Sequence, residues 1–121
     1  MARHLVISTS TELVRIAPER IIYLSSDGNY SLLYQTNDEV RTLTFQLGEI
    51  ERMIGEQLGT AGKDFIRIGR SLIINRSYIY QIDMRRQRLV LSDVDRFSHT
   101  VNASKEALRQ LKELVEKENT L

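Results

Sequence analysis

Cysteine and tryptophan are absent from this chain of 121 residues, proline occurs once and histidine twice. Without cysteine there is no disulfide, no thiol nucleophile and no cysteine-held zinc, and the redox compartment is left unmarked. No apolar run approaches the roughly 18–20 residues that a bilayer-spanning helix needs. The start, MARHLVISTSTELVRI, lacks the apolar stretch and small-residue cleavage pattern of a secretion signal. An excess of charge of one sign is missing too: 17 basic side chains meet 16 acidic ones, a net charge of +1. What is present suits one compact domain. The length falls in the range of about 100–150 residues common for domains, and a hydrophobic content of 41% can build a core unaided. The expectation is a single soluble, cytoplasmic domain over 1–121, with no membrane partner and no cofactor.

The charge balance hides an uneven distribution. Residues 1–62 carry five basic and eight acidic side chains, residues 63–112 eleven and five, and residues 113–121 one and three. Attraction to nucleic acid depends on local phosphate neutralisation, so a basic half counts for more than the total. Ordinary charge mixing on a solvated surface accounts for the same distribution equally well.

Most of the chain reads as short strands. HLVIST (4–9) and LVRI (13–16) look like an opening hairpin, and the lone Pro18 follows where it breaks no ladder. RIIYLSS (20–26) and YSLLYQT (30–36) flank Asp27-Gly28-Asn29, residues that favour a hairpin turn. VRTLTF (40–45), FIRIG (65–69), LIIN (72–75), YIYQID (78–83), RLVLS (88–92) and SHTVN (98–102) complete the set. In FIRIG the alternation sets Arg67 apart from its apolar neighbours, so it is expected to face solvent or a partner. Two segments have helical spacing. In 47–58 these are Leu47, Ile50, Met53, Ile54 and Leu58, with Gly59 placed to end the helix in a left-handed conformation. From about Ser104 to Lys117 they are Ala107, Leu108, Leu111, Leu114 and Val115, with Asn102 or Ser104 as the cap.

Catalysis has little to rest on. His4 and His99 lie without a neighbouring nucleophile or metal-ligand spacing. Asp93 and Asp95 fall in a turn, where aspartate commonly binds backbone N–H groups, and the glycines match no phosphate-binding loop. A small hydrolase using His99 with either aspartate is the weakest of the alternatives. The stretch FIRIGRSLIINRSYIYQID (65–83) is the most informative: it interleaves Arg67, Arg70 and Arg76 with strand formers, and Arg70-Ser71 interrupts two apolar runs. An arginine on a turn can enter a groove and make two hydrogen bonds to a guanine edge, and Ser71 could bond a phosphate oxygen. Solvated strand arginines and a turn-capping serine are the competing interpretation.

Four segments in order resemble the LytTR-type DNA-binding domain of bacterial transcription regulators. IIYLSSDGNYSLLYQT is similar to the family's early strand pair with an acidic-Gly-Asn-Tyr loop, and TFQLGEIERMI to its internal helix. FIRIGRSLIINRSYI resembles its block of aromatic-initiated strand, Arg-Ser step, apolar pair and asparagine, and VNASKEALRQL its closing segment. The resemblance covers about residues 5–115. It implies a mainly β fold of several small antiparallel sheets, with one short internal helix and a C-terminal helix. It also implies binding to duplex DNA by loops inserted into successive major grooves. Carried over by residue, Asn29 and Tyr30 mark one insertion and Arg70 with Ser71 a second, while Ser104 and Lys105 match the Ser-basic step before the last helix. Asn75 also matches a family position, though within LIIN it is expected to fix the backbone at a strand end. Gly69 stands where the family often has histidine. Lys105 replaces the commoner arginine, and lysine lacks the planar bidentate fork.

The expected function is therefore a bacterial transcription regulator on promoter DNA, without catalysis. Arg70 and Lys105 are expected to contact bases or nearby phosphates, Asn29 and Tyr30 a neighbouring groove, and Arg67, Arg76, Arg85, Arg86 and Arg88 mainly phosphates. One small module buries limited surface, which favours a homodimer on repeated sites. Regulators of this family usually carry a phosphorylated receiver domain. These residues leave no room for one, so a stand-alone regulator or an excised domain is expected. The rival is a β-rich protein-interaction module that keeps the fold without specific DNA binding and pairs through a strand edge.

Overall fold

The computed structural model describes residues 3–118. The chain clusters into two compact units, Met1–Arg76 and Ser77–Leu121. In the first, β1 (Leu5–Ser8) and β2 (Leu13–Ile16) form an antiparallel hairpin. A five-stranded antiparallel sheet, in the order β5-β4-β3-β7-β6, holds β3 (Ile21–Asp27), β4 (Tyr30–Gln35), β5 (Val40–Leu43), β6 (Phe65–Ile68) and β7 (Leu72–Asn75). Between β5 and β6 in the chain runs helix α1 (Leu47–Leu58).

The core of this unit follows from two periodicities. Leu24 of β3 lies opposite Leu33 of β4 and Ile73 of β7, and α1 contributes Leu47, Ile50, Ile54 and Leu58 to the same buried cluster. Burying one such side chain contributes about 1.5–3 kcal/mol, against up to about 1 kcal/mol lost at each helical glycine. Packing therefore holds α1 together despite Gly48 and Gly55. A side-chain amide ties the helix to β1: Gln57 Nε2 donates to the Val6 carbonyl (2.9 Å), and the Val6 N–H donates to Gln57 Oε1 (2.7 Å).

Helix α1 and the strands 13–16, 72–75, 88–92 and 98–102 fall where the sequence puts them. Three details differ. β5 stops at Leu43, because the chain turns at Thr44 toward α1 and the Phe45 carbonyl accepts from Ser31 Oγ (2.8 Å). The strand expected from Tyr78 begins at Ile79, after a short 3-10 turn over Arg76–Tyr78. Gly59 has φ 58 but ψ −128, so it ends α1 at positive φ without being left-handed helical. Pro18 heads a 3-10 turn, Pro18–Arg20, outside any ladder.

The second unit has a three-stranded antiparallel sheet, in the order β10-β9-β8, of β8 (Ile79–Asp83), β9 (Arg88–Ser92) and β10 (Ser98–Asn102). Helix α2 (Lys105–Glu118) follows. Leu89, Leu91, Phe97, Val101, Ala107, Leu108 and Leu111 are buried. The apolar face of α2 is shorter than its sequence suggests, since Leu114 is exposed and Val115 half-buried. Ser104 is the cap, its Oγ accepting the Ala107 N–H (3.1 Å), whereas Asn102 stays in the ladder opposite Arg88. α2 reaches Glu118, one residue past the end its spacing suggests. Residues 119–121 and the opening Met1-Ala2 lie outside the described residues.

Candidate nucleic-acid interface

Two turns meet at one end of the five-stranded sheet. β3 and β4 pair down to Asp27 opposite Tyr30, leaving Gly28-Asn29 as a two-residue hairpin loop. Gly28 has φ +63, the left-handed side that glycine adopts without steric cost and that matches a hairpin turn to the strand twist. β6 and β7 pair up to Ile68 opposite Leu72, leaving Gly69-Arg70-Ser71, where Gly69 has φ +60. Because β3 is hydrogen-bonded to β7, the turns are neighbours: the Ser26 N–H donates to the Ser71 carbonyl (2.9 Å). This end thus gathers Asn29, Tyr30, Arg70 and Ser71 from segments some forty residues apart in the sequence. Tyr30 is 49% exposed, and Arg70 is exposed with a side chain that makes no hydrogen bond or ion pair. Gly69, which stands where a histidine is common, is fitted to its backbone.

The other arginines of the stretch are engaged within the fold. Arg67, expected from its alternation to face solvent or a partner, meets partners within its own chain. Its Nη1 donates to Glu51 Oε1 on α1 (2.9 Å) and its Nη2 to the Arg70 carbonyl (2.9 Å). Arg76 Nη2 meets Asp64 Oδ1 at 2.9 Å. Asn75 is 3% exposed, and its Nδ2 donates to the Ile21 carbonyl (2.9 Å), fixing the strand end.

A second cluster forms in the other unit. The β8–β9 turn over 84–87 and the β10–α2 connection lie together, with the Ala103 N–H donating to the Gln87 carbonyl (3.3 Å). Between them is an open hollow of about 450 Å³ lined by Arg85, Arg86, Gln87, Asn102, Ala103 and Ser104. Lys105, next to Ser104, is the first residue of α2, and Arg88 stands opposite Asn102. Arg85, Arg88 and Lys105 are exposed and form no ion pair. Arg86 reaches Asp83 Oδ2 at 3.5 Å. Three candidates from two stretches of sequence, Arg85, Arg86 and Ser104, therefore line one hollow, with Arg88 and Lys105 each adjacent in the chain to a lining residue, and the first turn of α2 adds its N-terminal dipole.

The comparisons with known proteins bear on what these two clusters serve. The family model of the LytTr DNA-binding domain matches residues 11–116 and so runs through both units. The chain belongs to the LytTR family. Among solved structures it is similar to the LytTr DNA-binding domain of a Bacillus cereus protein described as a methyl-accepting/DNA response regulator. That likeness has a TM-score of 0.63 at 18% identity, over 95% of this chain and 98% of the other. No curated protein matches the sequence. The mainly β fold of three small antiparallel sheets and two helices is that of the LytTR domain.

Two supports of the LytTR turns were missed in the sequence. Gln46, just before α1, donates through Nε2 to Asn29 Oδ1 (3.3 Å), and Glu51 holds Arg67. Both are ordinary polar residues, one capping α1 and one on its exposed face, and only the tertiary approach of α1 gives them a role. Asp93 is a turn aspartate. Its Oδ1 accepts the N–H groups of Asp95, Arg96 and Phe97 (3.1, 2.7 and 3.1 Å), and its Oδ2 accepts Arg96 Nε (2.8 Å). Desolvation pulls its pKa upward, but the N–H groups of Arg96 and Phe97 and the Arg96 guanidinium together outweigh it and hold the carboxyl at about 2. Such a group is ionised at neutral pH and serves the turn. Among the described residues no group of three acidic or histidine side chains could hold a metal, and no helix is long and apolar enough to cross a membrane.

Proposed function

We propose that this LytTR chain is a sequence-specific duplex-DNA-binding transcription regulator that acts in the bacterial cytoplasm. The β3–β4 and β6–β7 turns enter a major groove, with Arg70 reading a base edge and Asn29, Tyr30 and Ser71 beside it. The hollow of Arg85, Arg86, Arg88, Ser104 and Lys105 engages the backbone and an adjacent groove, Lys105 as a point charge. Arg76, paired to Asp64, adds at most a shared phosphate contact. The observation that carries this is the Arg70 side chain, exposed and without any partner on a turn stitched to the Asn29 turn. A single module of this size buries limited surface, so two copies on repeated sites follow naturally.

The test is selection from a random pool of duplex DNA by the purified chain at two salt concentrations. A defined motif is expected to emerge, with affinity falling as salt rises. Arg70→Ala should cost about 1–3 kcal/mol on that motif and relax its sequence, whereas Arg85→Ala should weaken all duplexes alike and lower the salt slope by about one. Weak binding with no enriched motif would leave phosphate attraction alone and favour the protein-interaction module.

A further inference from the structure

We propose that Glu51 and Arg67 are positioning residues that brace the Arg70 turn from α1, so that Arg67 serves the turn's backbone instead of a DNA phosphate. The proposal rests on the DNA-binding role of that turn. Three observations converge on it. Arg67 spans two elements at once, with one terminal nitrogen on Glu51 and the other on the Arg70 carbonyl, both at 2.9 Å. Its side chain is only 26% exposed, and its Nε is buried without a partner, an orientation set by the two terminal contacts. The residue it holds lies directly after Gly69, whose positive φ marks the most permissive backbone of the turn.

The planar guanidinium makes this brace directional. Two charge-assisted hydrogen bonds from one rigid fork fix the distance between α1 and the Arg70 peptide, which a lysine could not do. The Ser26 N–H pins the Ser71 carbonyl, so the peptides on both sides of Ser71 are held while the Arg70 side chain stays free. Through Gln46 and Asn29 the same helix also touches the neighbouring turn. A turn ordered before contact does not have to be ordered on binding, and the gain appears as discrimination between sequences.

The brace and simple electrostatics predict opposite signs. Removing the half-exposed carboxylate of Glu51 near a phosphate backbone should tighten binding to every duplex if only charge matters. If Glu51 holds Arg67 in place, its loss should weaken binding to the selected duplex and spare a scrambled one. The experiment uses the full chain as wild type, Glu51→Ala, Arg67→Ala, the Glu51→Ala/Arg67→Ala double variant and the charge-swapped Glu51→Arg/Arg67→Glu pair. The probes are the duplex enriched by the wild type and a scrambled duplex of the same composition. Backbone amide relaxation at Gly69–Ser71 is measured on the same proteins without DNA.

The expected result is a roughly tenfold fall in the selected-to-scrambled affinity ratio for either single variant, in line with one lost charged hydrogen bond. The double variant should be no worse than the singles, the swap should restore nothing because a carboxylate at 67 cannot donate to the Arg70 carbonyl, and amide mobility at 69–71 should rise. An unchanged ratio in Glu51→Ala, or an Arg67→Ala that weakens both duplexes alike with a salt slope lower by about one, overturns the brace. Should Arg67→Ala fail to fold, Glu51→Ala on the exposed face of α1 decides alone. A wild type that enriches no duplex overturns the DNA-binding role instead, and the amide mobility then decides the brace without DNA.

Discussion

Replacing Asn75 by aspartate tests how the end of β7 is held. The side chain is 3% exposed, and its Nδ2 donates to the Ile21 carbonyl at 2.9 Å and lies 3.5 Å from that of Pro18. Asn75→Ala deletes the donor and leaves an acceptor unpaired in a buried site, costing about 1–3 kcal/mol. Asn75→Asp keeps the shape but turns a carboxylate toward carbonyl oxygens, and an uncompensated buried charge costs about 3–5 kcal/mol. The isosteric change is therefore the more damaging one at neutral pH. Burial disfavours the charged form, so the new carboxyl titrates above its unfolded value of about 3.9. Between the two values the folded state binds a proton that the unfolded state lacks. The deficit then shrinks as pH falls from 7, by at most about 1.4 kcal/mol per pH unit. Once protonated, the carboxyl O–H can donate to the Ile21 carbonyl. Urea unfolding followed by circular dichroism at pH 7 and pH 5 reads this directly. The expected order at pH 7 is wild type, alanine, aspartate, with the gap between the two variants narrowing at pH 5. Equal stabilities at pH 7 with parallel pH dependence would refute the argument. A folded Asn75 variant that had lost DNA affinity would make Asn75 a contact residue.

Three smaller predictions follow from the backbone and one carboxylate. Gly55→Ala should stabilise the chain by about 1 kcal/mol, since a Cβ there meets open space on an exposed helix position, and its urea midpoint should rise. Val94 is 73% exposed at φ 76, a strained conformation for a β-branched residue, so Val94→Gly should raise the melting temperature, by about 1 kcal/mol in stability. Asp93 has a folded pKa lowered to about 2, below the unfolded value of about 3.9, so its stabilisation is full above pH 4 and lost as pH falls toward 2. Acid unfolding of Asp93→Asn should be shallower in that window, and an unchanged acid limb would contradict the turn geometry.

The fold was largely legible because strand and helix periods are local. Leu47, Ile50, Ile54 and Leu58 announce α1 by spacing alone, and Gly28 and Gly69 punctuate their hairpins. The first candidate contact cluster was legible residue by residue but not as a surface. That β3 pairs with β7, which puts Asn29 beside Arg70, is a long-range choice with no local signal. Arg67 shows the limit most clearly. Its alternation correctly lifts it out of the apolar row of β6, yet what it meets is Glu51, sixteen residues earlier on a helix whose approach only the tertiary fold defines. The shortened face of α2 has a similar origin, since Leu114 keeps the period without anything in the sequence to say that its partner surface ends.

A net charge of +1 is also a poor index of what the chain can attract, because it counts cations that the fold has already spent. Within the basic stretch 63–112, Arg67, Arg76, Arg86, Arg96, Arg109 and Lys112 lie in ion pairs with Glu51, Asp64, Asp83, Asp93, Glu106 and Glu116 respectively. Lys63, Arg70, Arg85, Arg88 and Lys105 form none. Apart from Lys63, these sit at the Arg70 turn and around the hollow at the start of α2. Phosphate neutralisation responds to such unspent cations within about a Debye length, roughly 8–10 Å, and is blind to the sum over the chain. A salt slope near the number of these free cations, and well below the 17 basic residues, is what this partition requires. A slope that also fell when Arg76 or Arg109 was removed would show that paired arginines are recruited to DNA as well. The division of cations between fold and ligand would then have to be redrawn.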